Sequence, residues 1–190
     1  MALSVMREEA VVTSAALPLR ARKLDVAIVA FFLINLCFIT YVVDLEQLVI
    51  ANPYHYKQPV WPPGFAVSII HSYGNHYDPL LMARPVWWKA TIWIDALCFG
   101  PFYVVGIYAF AKGRNWIRLP AVIYSSVMMT NVTIILSEEI WGPHASPHLL
   151  FVLGDNAAWL LFPILVIARM WRCERPFDST FRRRGWRCDR

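Results

Sequence analysis

Four stretches of this chain are long and apolar enough to cross a bilayer, and that limits the fold more than any other feature. They cover residues 24–43, 86–111, 117–136 and 148–170. A spanning helix needs about 20 mostly apolar residues. The first stretch, LDVAIVAFFLINLCFITYVV, exceeds the roughly 7–15-residue apolar core of a signal peptide and reads as a retained anchor. Composition agrees. Of 190 residues, 58% are hydrophobic and 16% charged, against about 25% charged in an ordinary soluble domain. A soluble enzyme, a disordered chain and a disulfide scaffold are all disfavoured. The expected fold is an all-α integral membrane protein, a four-helix transmembrane bundle. It divides into a cytosolic N-terminal segment (1–23), the four-span domain (24–170) and a basic cytosolic tail (171–190).

Charge placement orients the bundle. Fifteen of the eighteen Lys and Arg residues lie in the N-terminal segment, the loop between spans two and three, and the tail, leaving Lys57, Arg84 and Lys89 on the other side. The positive-inside rule then puts both termini in the cytosol. An even number of spans requires the same arrangement. The Arg-rich tail follows directly on span four, so it reads as an anchor beside anionic lipid and not as a nucleic-acid patch.

The long loop, residues 44–85, contains Pro53, Pro59, Pro62, Pro63, Pro79 and Pro85, which rule out one continuous helix. Within it, Gly64–Gly74 is apolar but too short to span. It reads equally as an interfacial helix over a cavity mouth or as a packed loop. Cys37, Cys98, Cys173 and Cys188 form no CxxC pair, and Pro147 breaks the spacing of His144 and His148, so no metal site is expected. GxSxG, Walker and HExxH motifs are absent from the sequence.

Ionisable groups inside spans are costly to keep, and so they point to function. Asp44 ends span one on the non-cytosolic side. Asp95 lies about nine residues into span two from that side, Glu138 and Glu139 end span three there, and Asp155 and Asn156 lie about two turns into span four, again from that side. At about 1.5 Å rise per residue, antiparallel helices can bring them to one depth. Ser126, Thr130, Thr133 and Ser137 follow one helical stripe and suggest an inward polar face on span three. Thr91, Asp95 and Phe99 share a face of span two, and Asn156, Trp159 and Pro163 share one of span four. Pro101 and Pro163 each free a backbone carbonyl close to this layer.

Asp78-Pro79-Leu80-Leu81, Trp87-x-Lys89, Pro101-Phe102-Tyr103, YAFAKG (108–113) and WIRLPAVIYS (116–125), with Thr40 four residues before Asp44, together resemble the EXPERA membrane family, in particular its sigma-2 branch. Asn156-Ala157-Ala158-Trp159, Pro163 and Ser137-Glu138 are more similar to its sterol isomerase branch. The resemblance covers roughly residues 24–170. It implies an apolar pocket lined by Asp44, Asp95, Glu138, Asn156 and Trp159. The isomerase branch has His where this chain has Thr40, and a span-two Glu about one turn before Asp95, where this chain has Thr91.

A carboxylic acid in an apolar site can stay protonated near neutral pH and can protonate an alkene or an epoxide oxygen. A second, ionised carboxylate can then steady the cation or remove a neighbouring proton. The expected catalytic groups are Asp44, Asp95 and Glu138, with Asp95 as proton donor and Asp44 as acceptor. The expected substrate-binding groups are Thr91, Phe99, Tyr103, Thr130, Asn156 and Trp159. The function so read is acid–base chemistry on a sterol-, terpenoid- or polyene-type substrate, by double-bond isomerisation or acid-assisted epoxide opening, as a biosynthetic tailoring step. The alternative is a non-catalytic protein that binds and traffics sterols or lipophilic amines. No cofactor, metal or nucleic acid is expected. Expected partners are a hydrophobic small molecule and membrane lipids, with a homodimer open, and the expected location is the endoplasmic reticulum.

Overall fold

The computed structural model describes residues 16–171 and 175–177. The remaining N-terminal residues, and in the basic tail residues 172–174 and 178–190 with Cys173 and Cys188, lie outside the described residues. Among the described residues the chain is helical throughout, with no strand. The four long helices are Lys23–Val49, Val86–Lys112, Asn115–Trp141 and Leu149–Trp171, each long and apolar enough to cross a membrane.

Span one starts as α1 (Lys23–Ile34), widens into a π-helical stretch (Asn35–Asp44) and closes as the short α2 (Leu45–Val49). The loop follows with α3 (Gly64–His76) and α4 (Pro79–Ala83). The apolar loop segment therefore folds as a helix, its Ala66, Val67 and Ile70 buried and its Phe65 and Ile69 exposed. Span two runs as α5 (Val86–Ile94), a π turn (Asp95–Phe99) and α6 (Gly100–Lys112). Spans three and four are α7 (Arg118–Trp141), preceded by a 3-10 turn, and α8 (Leu149–Trp171) with Pro163 inside it. The first π segment ends on Asp44 and the second begins with Asp95. π bulges recur at functional sites because the wider turn re-aims side chains and leaves carbonyls free. One such carbonyl, that of Tyr41, accepts the Trp61 indole N–H at 2.6 Å.

The apolar core runs through the half of the bundle nearer the termini, with Ile28, Phe32, Tyr103, Phe110, Tyr124 and Val166 packed together. A smaller cluster of Ile70, Leu80, Leu81, Trp88 and Ile92 holds the loop helices on the opposite end. Span one meets span two closely at Gly100, where an added Cβ would stand 2.7 Å from Tyr41 Oη and 3.3 Å from Thr40 Cγ2.

An ion cluster closes each end. At the terminal end Asp25, 1% exposed, takes Arg22 at 2.6 Å and Arg169 at 3.1 Å, and both guanidiniums stack over Phe177. Arg22 also donates to the Phe110 and Ala111 carbonyls, satisfying the frayed end of α6. At the loop end Arg84 donates to both carboxylate oxygens of Glu46, at 2.8 and 2.9 Å, and to the Ile50 and Leu81 carbonyls. His71 of α3 bonds the same Glu46 at 2.8 Å, as does the Gln47 amide at 2.5 Å.

The polar stripe of span three faces outward. Ser126, Thr130, Thr133 and Ser137 are exposed, and each hydroxyl donates to the carbonyl four residues back, at 2.7–3.0 Å. That back-bond satisfies the hydroxyl inside its own helix, so the stripe can face lipid without an orphaned group. The face of α7 turned to the bundle instead carries Tyr124, Ser125, Met128, Asn131, Val132 and Glu139.

Candidate functional site

The two π segments bring Asp44 and Asp95 together. Both are buried, at 9% and 8% exposure, and their carboxyls face each other closely enough to interact. A carboxyl–carboxyl hydrogen bond needs a proton between the two oxygens. The Tyr103 hydroxyl donates to Asp95 Oδ1 at 3.4 Å, while the buried Thr40 hydroxyl, one turn before Asp44, has no hydrogen-bond partner among the described residues. Among the described residues no Lys or Arg pairs with either aspartate. The bundle thus holds an acid pair in an apolar interior with no fixed cation to cancel it.

Beside span one, the Trp159 indole donates to Asn35 Oδ1 at 2.8 Å, while the Asn35 amide donates to the Phe31 carbonyl at 2.8 Å. Asn35 thereby fixes the Trp159 ring, which stands edge-on to Phe31 at 6.4 Å. Asn156 is half-buried and bonds the Val152 carbonyl of its own helix at 3.0 Å. Thr91 is half-buried and bonds the Trp88 carbonyl at 2.8 Å. Phe99 and Tyr103 are core residues packed on Tyr124, with ring centroids 5.1 and 5.6 Å away. Thr130 faces outward, as does Trp93, which is 51% exposed.

Glu138 does not join the aspartate pair. Its carboxylate takes the His144 ring at 2.7 Å and the His144 backbone N–H at 3.2 Å, at the loop end of span three. The neighbouring Glu139 turns inward, 1% exposed, beside Asp78. Asp78 also caps α4 by accepting from the Leu81 N–H at 3.1 Å. Burial pushes the Asp78 carboxyl above the ordinary carboxylate range, and its interactions with Glu139, Leu81 and Leu80 pull it partway back. Asp155 is exposed and accepts the Tyr73 hydroxyl at 2.8 Å; burial first, and Asp155 second, raise the Tyr73 phenol above its ordinary value.

The sequence reading singled out Asp44 and Asp95 but missed Asn35, Glu46, Arg84 and Tyr124. For Glu46 a signal was available: it is an acid within the apolar end of span one, opposite a loop whose cations are few. Among the described residues no group of three His, Cys, Asp or Glu is placed to hold a metal ion.

Comparison with known proteins adds relatives. Residues 65–170 match the family described as EXPERA (EXPanded EBP superfamily). The chain is 29% identical over 143 residues to the sigma intracellular receptor 2 of Xenopus tropicalis, covering 70% of this chain and 79% of that one. The same receptor from Macaca fascicularis and from Homo sapiens is 32% identical over 108 residues in each case, half of this chain and 61% of theirs.

Proposed function

The chain belongs to the EXPERA family, and from that premise we propose that it is a membrane-embedded acid–base enzyme acting on a hydrophobic sterol-, terpenoid- or polyene-type substrate. The observation that supports this most is the buried Asp44–Asp95 pair, facing carboxyl to carboxyl and free of Lys or Arg partners among the described residues.

The chemistry follows from that pair. One carboxyl gives its proton to an alkene carbon or an epoxide oxygen, so that its O–H bond breaks as a C–H or O–H bond forms. The cation that develops lies in a water-poor site, where a carboxylate acts far more strongly than in water. The partner carboxylate then takes a proton. From the adjacent carbon, this gives a shifted double bond; from an attacking water or internal hydroxyl, it gives a diol or cyclic ether. The proton count balances without a cofactor.

A second reading rests on the relatives. Proteins named sigma intracellular receptor 2 share roughly a third of the aligned residues, and Glu138 stands apart with His144. In that reading the same pair binds a lipophilic amine without turnover. Product analysis separates the two. Wild type and Asp95→Asn are expressed in a host membrane and supplied with sterol, polyene and epoxide substrates. Conversion by wild type that is lost in Asp95→Asn supports the enzyme. Amine binding lost in Asp95→Asn, with no conversion by either protein, favours the binding protein.

A further inference from the structure

Tyr103 stands behind the aspartate pair. It is fully buried, tilted against Phe32 at 5.6 Å and edge-on to Tyr124 at 5.6 Å. Its hydroxyl reaches Asp95 Oδ1 at 3.4 Å, a long hydrogen bond of the kind that shortens when a site binds its ligand. The titratable groups facing it are Asp95, Asp44 and the Tyr124 phenol. The donors are divided unequally: among the described residues the Tyr103 hydroxyl donates to Asp95, and no hydroxyl donates to Asp44. A hydroxyl facing a carboxylate donates to it, and donors favour the ionised form.

We propose that Tyr103 is a positioning residue that assigns the roles within the pair, holding the negative charge on Asp95 and the shared proton on Asp44. This rests on the acid–base reading above and reverses the roles expected from sequence, where Asp95 was the donor. Asp44 then protonates the alkene or epoxide. Asp95 receives the proton released from carbon or from the attacking oxygen. Transfer across the pair returns that proton to Asp44, so the pair ends each cycle as it began. A residue expected to line the substrate cavity works from behind it.

The test uses the full chain in phosphatidylcholine nanodiscs and a radiolabelled lipophilic tertiary amine, an N-alkylpiperidine, as probe. Binding is measured from pH 5 to 9 for wild type, Tyr103→Phe, a variant with 3,5-difluorotyrosine at 103, and Asp95→Asn. Without the phenol, the charge on Asp95 is less favoured. The acid limb of the Tyr103→Phe profile moves up by about one pH unit, a roughly tenfold loss of affinity on that limb. Affinity on the alkaline plateau changes far less. Difluorotyrosine is a stronger donor and moves the limb the opposite way, so it decides the matter by itself if Tyr103→Phe does not fold. An unmoved limb in both variants, or equal weakening at every pH, overturns the role of Tyr103 while leaving the site intact. If wild type does not bind the amine, or Asp95→Asn binds it like wild type, the site reading falls and the role of Tyr103 falls with it.

Discussion

Replacing Arg84 with Gly sets two opposing effects against each other at the loop end. Arg84 sits in the left-handed region at φ 49°, a conformation that costs a side-chain-bearing residue roughly 1–2 kcal/mol and glycine almost nothing. On backbone grounds alone, Arg84→Gly should stabilise. Against that, the guanidinium is 4% exposed and donates to both oxygens of Glu46, itself 0% exposed, as well as to two carbonyls. Removing one partner of a buried pair costs about 3–5 kcal/mol, because the other charge stays buried and uncompensated. His71 and Gln47 remain on Glu46 but supply only part of what the guanidinium gave. The net is a loss of about 2–3 kcal/mol. At roughly 2–4 °C per kcal/mol for a protein of this size, the melting temperature of the detergent-solubilised protein should fall by roughly 5–10 °C. The assay is thermal denaturation followed by the retained monodisperse peak on size exclusion. Restoring balance with Glu46→Gln in the same chain should recover part of the loss. If Arg84→Gly melts at or above wild type, the strain outweighs the ion pair and the network is not what holds the loop end.

Asp78→Asn keeps an N-cap acceptor for Leu81 but removes a carboxyl whose pKa burial raises. A raised folded-state value means stability is fully present below the unfolded value of about 3.9 and is lost as pH rises through the folded one. Wild type should therefore lose melting temperature as the pH is raised above that unfolded value, and Asp78→Asn should lose less. Glu138→Gln should leave conversion or amine binding within a few-fold of wild type, because Glu138 engages His144 away from the aspartate pair; a loss of about 100-fold or more, the scale of a lost general acid, would return Glu138 to the site. A tag at either terminus should be digested by protease added to sealed microsomes, and protection of either tag would contradict the cytosolic placement drawn from the basic asymmetry.

The spans were legible because length and apolarity leave a chain of this kind few other folds. Asp44 and Asp95 were legible because a carboxyl in a span is costly enough to mark itself. The direction of the span-three stripe was not: a helical period gives a face but not whether it turns in or out, and hydroxyls that back-bond their own helix cost little on either side. Nor could sequence choose between Glu138 and Glu139, adjacent residues about 100° apart on one helix, of which the structure buries the second. The Glu46–Arg84 pair joins residues 38 apart through a left-handed turn, and no local pattern marks such a contact. The π segments escaped because their widened turns do not alter the apolar run that marks the span.

The most direct test of the account needs no substrate. It is the infrared carbonyl spectrum of the full chain in lipid nanodiscs at neutral pH, taken as the difference between wild type and each aspartate variant. A proton held within the Asp44–Asp95 pair predicts a protonated-carboxyl band in wild type that disappears in Asp44→Asn and persists in Asp95→Asn. If neither variant alters any protonated-carboxyl band, the two aspartates share no proton, and the acid–base site does not exist as described.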